Sequence, residues 1–413
     1  MSEQSDKNLS ETLFVKHKQA KETSSLTQYM PSSQPFVDEK VASGSWYRNL
    51  RRMQWAWQGV DPIEQEAVLA RIASCQHSRT HDHWLDTVIG FRSGNWAFEW
   101  GKLAAEHHKR GRSLEGEEGA DELFKASLCY SIAGYPHLKN DNLSLQAQVQ
   151  ANTTYAEAAE KSDFVVKQLK IPYGKKKISA TLHAKNTLQP QPVIIVSAGL
   201  DSLQTDMWRL FRDHLAPKNI AMLTVDLPSV GQNSHYPLSE DTSCLHKAVL
   251  DELPNIPWVD HYKVGLLGFR FGGNAMVRLS FMEQDKIKAC VSLGAPIHDL
   301  LASPKKLKGM SKMYLDLLAS RVGKTVVDVN SLSSQLMAWS LKVQGVVSSR
   351  KTKVPILAMS LDGDPISPHS DNQLVALYSQ FGKARKINNK IISEGYEQSL
   401  ALAIKWMEDE LYR

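Results

Sequence analysis

The chain has 413 residues, 42% apolar and 23% charged, the balance of an ordinary globular protein with room for more than one folding unit. Its 49 basic and 44 acidic side chains leave a net charge of +5, too small an excess for a dedicated nucleic-acid binder. No stretch approaches about 18 consecutive apolar residues, and the polar first residues lack an apolar leader, so neither a membrane span nor a secretory signal is expected. The four cysteines (Cys75, Cys129, Cys244, Cys290) show no C-x-x-C or Cys/His ligand spacing, which speaks against a zinc site or a disulfide framework and fits a cytoplasmic setting.

Residues 1–45 are polar and aperiodic and read as a mobile arm. Residues 46–162 read as a helical cap domain. Trp46, Leu50, Met53 and Trp57 recur at helical spacing with Arg48, Arg51 and Arg52 between them, and Asp61-Pro62 has the form of an N-cap followed by Pro at the first helical position. Further helices are predicted near 83–110, 119–133 and 143–161. The tryptophans of this segment (Trp46, Trp55, Trp57, Trp84, Trp96, Trp100) are read as packing anchors.

From residue 163 to 413 the texture changes. Phe164–Ile171 and Ile178–His183 flank Pro172-Tyr173-Gly174-Lys175 as a hairpin. Apolar runs at Val193–Ser197, Ala221–Val225, Val264–Leu267, Ala289–Leu293 and Ile356–Ser360 then alternate with helical stretches. That rhythm predicts an α/β fold, a mostly parallel central sheet with helices on both faces. Residues 299–350 interrupt it as a helical insert, with helices over Met313–Leu318 and Leu332–Leu341. An amphipathic helix over 397–412 closes the sheet.

The feature that bears on function is Gly268-Phe269-Arg270-Phe271-Gly272, which ends one of these runs and opens a helix. It has the layout of the G-x-S-x-G nucleophile elbow of the α/β-hydrolase fold, with Arg270 in place of the serine. A guanidinium is never deprotonated and cannot attack a carbonyl. The acid position falls on Asp364, just past the run Ile356–Ser360. The only histidine after it, His369, reads as a surface residue at a helix start, and the late loop Ile391–Glu397 has none. Ser197, Ser202 and Ser292 sit on no elbow and are weak nucleophile candidates. Asp226 is read as structural.

The amides of Leu200 and Phe271 are placed to form an oxyanion or anion pocket with Arg270 at a helix N-terminus. Arg270 has two open readings: a clamp for a small carboxylate or ester ligand, or an internal ion pair with Asp201, Asp226 or Asp364. Arg270, Asp364 and Asp201 are thus the expected catalytic-site residues, and Leu200, Phe271 and Arg270 the expected anion-binding ones. Gly268-x-x-x-Gly272-Gly273 is not a dinucleotide fingerprint and no P-loop is present, so no cofactor or metal is expected.

Six segments together carry a family resemblance: WYRNLRRMQWAWQGVDP (46–62), DTVIGFRSGNWAFEW (86–100), SAGLDSLQTD (197–206), AMLTVDLPSVG (221–231), NIPWVDHYKVGLLGFRFGGN (255–274) and MYLDLLASRVG (313–323). On these the chain resembles the FrsA (fermentation–respiration switch) family of γ-proteobacterial α/β-hydrolase-like proteins. The resemblance implies a helical cap before a hydrolase core, a carboxylesterase activity, and binding to the unphosphorylated form of glucose-specific enzyme IIA of the sugar phosphotransferase system. Of the hydrolase triad only Asp364 matches its position. The expectation is therefore a regulator on a hydrolase scaffold with an incomplete triad. The alternative is a lyase or decarboxylase that holds a small 2-oxo acid such as pyruvate on Arg270 without a cofactor. Loss of CO₂ would leave an acyl anion there, and the chain carries no motif for the thiamine that usually absorbs it.

Overall fold

The computed structural model describes residues 28–29, 45–388 and 392–413. The predicted arm therefore lies outside the described residues, except for the short strand β1 (Gln28–Tyr29). Helices α1 (Arg52–Gln58), α2 (Pro62–Ser74), α3 (Trp96–Ser113), α4 (Gly116–Gly134) and α5 (Asn142–Lys161) follow. The Asp61 cap forms as the sequence requires: its carboxylate accepts from the amides of Ile63 and Glu64 at 2.8 and 3.1 Å. The helix predicted near 83–110 begins only at Trp96. Residues 75–95 instead make turns and an antiparallel bridge between Arg79 and Val88, and Asn95 caps α3 by accepting from the Phe98 amide. Trp55, Trp96 and Trp100 form a buried aromatic cluster with ring centroids 5.6–6.0 Å apart. Trp57 packs against the core that contains α12 and also lines the cleft described below.

The sheet is built from β2 (Val165–Tyr173), β3 (Lys176–Ala184), β4 (Gln191–Ser197), β5 (Ala221–Val225), β6 (Val259–Phe269), β7 (Ala289–Leu293), β9 (Ile356–Leu361) and β10 (Lys383–Ile387), with the insert's two-residue strand β8 (Val326–Val327) lying apart. Across the sheet the order is β2-β3-β5-β4-β6-β7-β9-β10. Only β3 runs against its neighbours; every other pairing is parallel. The alternation of side chains divides β4 between two cores. Val193 and Ile195 face one, with α6 (Cys244–Glu252) and α7 (Phe271–Met282); Ile194 and Val196 face the other, with α12 (Ile392–Leu411). The predicted hairpin and all five predicted central strands are present. The edge strand β10 was not foreseen, since in KARKI only Ile387 is buried.

The predicted insert holds α8 (Pro304–Lys308), α9 (Lys312–Arg321), β8 and α10 (Val329–Met337), and α11 (His369–Leu377) follows β9. The helix predicted over 332–341 lies earlier, over 329–337, because Asp328 caps it by accepting from the amides of Asn330 and Ser331. β8 pairs in parallel with β1. Among the described residues no helix is long and apolar enough to cross a membrane.

Candidate functional site

The elbow is realised between β6 and α7. Arg270 stands at its apex with φ 51° and ψ −124°, a conformation that non-glycine residues rarely adopt and that functional sites retain. Its amide is held by the Leu293 carbonyl at 2.8 Å, and its carbonyl accepts from the Gly273 amide at 2.9 Å. The flanking glycines are steric requirements. A Cβ on Gly268 would lie 2.4 Å from the Gly273 Cα, and one on Gly272 would lie 2.3 Å from the Ser197 carbonyl oxygen. The scaffold thus keeps the tight strand-to-helix turn of a nucleophile elbow and presents a guanidinium on it.

That guanidinium is ion-paired through Nη1 with Asp364 Oδ2. Of the three carboxylates open to Arg270 from sequence, the structure selects Asp364. Its other oxygen accepts from the amides of Ile366 and Ser367 at 2.9 and 3.3 Å, so the same side chain builds the turn after β9. Asp201 is taken by a different cation, Arg51 of the segment entering α1. Burial pulls the Arg51 guanidinium down, yet the Asp201 carboxylate outweighs it and its pKa is raised. Asp226 is structural as expected: it accepts from the amides of Gln204 and Gln232 at 2.7 and 3.1 Å, and burial pushes it up to about 7.

Gly199 brings the two ion pairs side by side. A Cβ placed there would lie 3.1 Å from Asp201 Oδ1 and 3.3 Å from the Arg270 Cβ. The turn 199–201 therefore runs beside the elbow, where the sequence placed it. Neither the Leu200 nor the Phe271 amide has a hydrogen-bond partner among the described residues, and both residues are buried.

Arg270, Asp364, Arg51 and Gly199 line a cleft of about 830 Å³, part of it open to solvent, whereas Leu200, Asp201 and Phe271 lie behind its wall. Its walls are mostly apolar, with Trp57, Met207, Phe269, Leu293, Met359 and Leu400, and Arg270, Arg51 and Tyr396 supply the polar end. Tyr396 lies within the stretch 391–397 read from sequence as the late loop of a hydrolase histidine, which from Ile392 onward forms the first turns of α12. It packs edge-on against Trp57 at 5.5 Å, and burial pushes its hydroxyl up to about 12 against the pull of Arg270 and Arg51. No histidine lines this cleft among the described residues. His369 opens α11 as predicted and faces a neighbouring cavity that shares Asp364. Ser202 lines the cleft, whereas the Ser197 and Ser292 hydroxyls are buried without partners among the described residues.

Sequence reasoning missed Arg51, Trp57 and Tyr396 as parts of the site. The arginines between the tryptophans of α1 were visible, but nothing in their spacing indicates that one of them crosses to Asp201.

One strand opposed to seven, an elbow after β6 and an acid after β9 define an α/β-hydrolase scaffold. Within that class, the family model described as Esterase FrsA-like matches residues 4–412, and the chain belongs to this family. It is 70% identical to Esterase FrsA of Vibrio parahaemolyticus over 415 residues, covering 100% of both chains. It is 39% identical to Esterase FrsA of Yersinia pestis, covering 98% of this chain and 99% of that one. Among solved structures it is similar to 2,6-dihydroxy-pseudo-oxynicotine hydrolase, with a TM-score of 0.70 at 17% identity over 87% of this chain and 95% of that chain. It is also similar to AbyA5, with a TM-score of 0.63 at 16% identity over 76% of this chain and 89% of that one. At such identities the likeness concerns the fold alone.

Proposed function

We propose that this chain is a cytoplasmic regulator built on an esterase scaffold, which binds the unphosphorylated form of glucose-specific enzyme IIA and so links sugar uptake to the choice between fermentation and respiration. The partner comes from the family resemblance. The observation that carries the non-hydrolytic part is the apex of the elbow: Arg270 is ion-paired with Asp364, in a cleft that no histidine lines among the described residues. The apex carries no attacking oxygen, and among the described residues the cleft has no histidine to activate the Ser202 hydroxyl that lines it. A phosphorylated partner would bring about −1.5 to −2 of extra charge into the interface, and desolvating it opposes binding. Calorimetric titration with the two forms of enzyme IIA tests this: tight binding of the unphosphorylated form alone supports it, and equal affinities remove it.

A residual esterase activity is the second reading, favoured by the unpartnered amides of Leu200 and Phe271 next to the elbow. Oxyanion donors and binding sustain some catalysis after a triad is lost. Turnover of short p-nitrophenyl esters no greater than that of heat-inactivated protein ends this reading. The 2-oxo-acid lyase reading is weakened by charge, because Asp364 already neutralises the guanidinium that would grip the substrate. By the same balance, the cleft suits an uncharged ester better than a free carboxylate.

A further inference from the structure

All ten residues of α9 are buried, although Lys312, Asp316, Ser320 and Arg321 are among them. A lid helix resting on a surface would expose such a polar stripe. Here the stripe faces other parts of the chain. Tyr47 donates to Asp316 Oδ2 at 2.6 Å, Lys312 is paired with the same carboxylate in the next turn, and the Ser320 hydroxyl accepts from the Lys139 amide at 2.8 Å.

Arg321 ends the helix and is 2% exposed. Its partners are all main-chain carbonyls. Nε and Nη2 donate to the Leu200 oxygen at 2.9 and 2.6 Å, Nη1 donates to Ser229 at 3.0 Å, and Nη2 also donates to His137 at 2.7 Å and Pro136 at 3.4 Å. The Ser229 hydroxyl returns a bond to the Arg321 carbonyl at 2.9 Å. One guanidinium thus joins the loop between α4 and α5, the turn after β4 and the loop after β5. Burial lowers its pKa to about 10, with the Asp201 and Asp226 carboxylates pulling the other way. A buried cation of this kind is tolerated only while its donors are satisfied, so the carbonyls and the guanidinium fix one another.

We propose that Arg321 is the positioning residue of the cleft. It holds the Leu200 carbonyl, and through it the turn 199–201 that carries the Leu200 amide and the Asp201 carboxylate beside Arg270. α9 lines no part of the cleft, yet it sets the cleft's geometry through this one side chain. The Leu200 carbonyl belongs to the peptide bond leading into Asp201, so holding it sets the direction in which Asp201 meets Arg51. The inference rests on reading that turn as a wall of the ligand cleft.

The test is hydrogen exchange followed by mass spectrometry on the full chain, in Arg321→Met, Arg321→Lys and Leu317→Ala. Leu317 is a buried residue of the same helix, and its truncation supplies a purely structural loss for comparison. In Arg321→Met, peptides covering 198–203 and 228–231 should exchange about tenfold faster or more, as loss of charge-assisted bonds predicts, while those from β6 and β9 keep the wild-type rate. Arg321→Lys should restore part of the protection, because an ammonium reaches fewer of the carbonyls. Leu317→Ala should speed exchange in proportion to its loss of urea stability without singling out 198–203. Unchanged exchange at 198–203 in Arg321→Met, or a pattern matching Leu317→Ala, overturns the proposal. Should Arg321→Met fail to fold, Arg321→Lys against Leu317→Ala decides by the same peptides. No ligand or partner enters the measurement, so its outcome is separate from that of the enzyme IIA titration.

Discussion

Arg51 and Asp201 form an ion pair at the edge of the cleft, joining the segment ahead of α1 to the turn after β4. The Asp201 side chain is 4% exposed and that of Arg51 20%, so the pair is shielded from the screening that makes surface pairs weak. Arg51 also lies over the Tyr135 ring at 5.3 Å. Removing one member leaves the other's charge buried. Arg51→Met should therefore cost about 3 kcal/mol, the lower end for a broken buried pair because Arg51 is partly exposed. In Arg51→Met/Asp201→Asn the cost should be smaller than the sum of the two single losses. Urea unfolding of the four proteins measures the coupling, and strict additivity would show that the contact carries no energy.

The elbow supplies a second prediction. Gly268 cannot take a side chain, since its Cβ would meet the Gly273 backbone at 2.4–2.5 Å, where neither partner is a flexible side-chain end. Gly268→Ala should destabilise by about 1–3 kcal/mol or more as the helix is pushed from the strand. Arg270→Ser should not create an esterase, because no histidine lines the cleft to activate the new hydroxyl, and it would leave Asp364 buried without its cation. A fluorophosphonate probe should fail to label residue 270 in that variant. Labelling would reveal a base that the geometry does not provide.

How much of this was legible beforehand follows from where the information sits. The central strands are short apolar runs because both faces are covered, so they stand out in sequence. The elbow was visible because two glycines at fixed spacing are a local steric requirement. Asp364 could be placed because the end of a strand is a local feature too. The choice among Asp201, Asp226 and Asp364 as partner of Arg270 was not legible, since it depends on how three loops converge. For the same reason Arg51 and Tyr396 went unnoticed: each reaches the cleft from an element distant in sequence. β10 escaped detection because an edge strand carrying Lys383, Arg385 and Lys386 shows no apolar run, a composition that also guards it against pairing with other chains. α9 was legible only as part of a helical insert, and its burial depends on partners at Tyr47, Lys139, Leu200 and Ser229 that no local pattern reveals.

Stability should rise between pH 4.5 and 6.5. Burial pushes His183 and His246 down to about 4 and His137 to about 3, below the ordinary histidine value of 6.5. In that window the unfolded chain binds protons that the folded one does not, so stability increases with pH. Asp206 and Asp226 act in the opposite sense, because burial raises them to about 6 and about 7; the stability they lend is present at low pH and is lost as pH climbs through those values. Three depressed histidines outweigh two raised carboxyls up to about pH 6.5, the unperturbed histidine pKa. Above it the unfolded histidines give up their remaining protons while Asp226 titrates in the opposite sense, and the curve should flatten. Replacing His246 by Leu should lower the slope of urea stability against pH by about one proton. Asp226→Asn should steepen the rise. A profile flat from pH 4.5 to 6.5 would mean that the buried histidines keep ordinary affinities.

Tyr396 carries the last prediction. Its hydroxyl stays protonated at neutral pH and is available to donate to a ligand's carbonyl at the polar end of the cleft. Trp57 touches the same ring at 5.5 Å, so occupancy of the cleft should alter Trp57 emission. Titration with p-nitrophenyl butyrate should quench fluorescence in the wild-type chain, and Trp57→Phe should lose most of that change. Tyr396→Phe keeps the ring packing and removes one donor, which should weaken binding by about 2- to 10-fold, the worth of a single neutral hydrogen bond. Free butyrate should compete poorly, because Arg270 and Arg51 are each already neutralised by a carboxylate. Competition by butyrate as strong as by the ester would show that Arg270 exchanges Asp364 for a ligand anion, and the site would then be a carboxylate clamp.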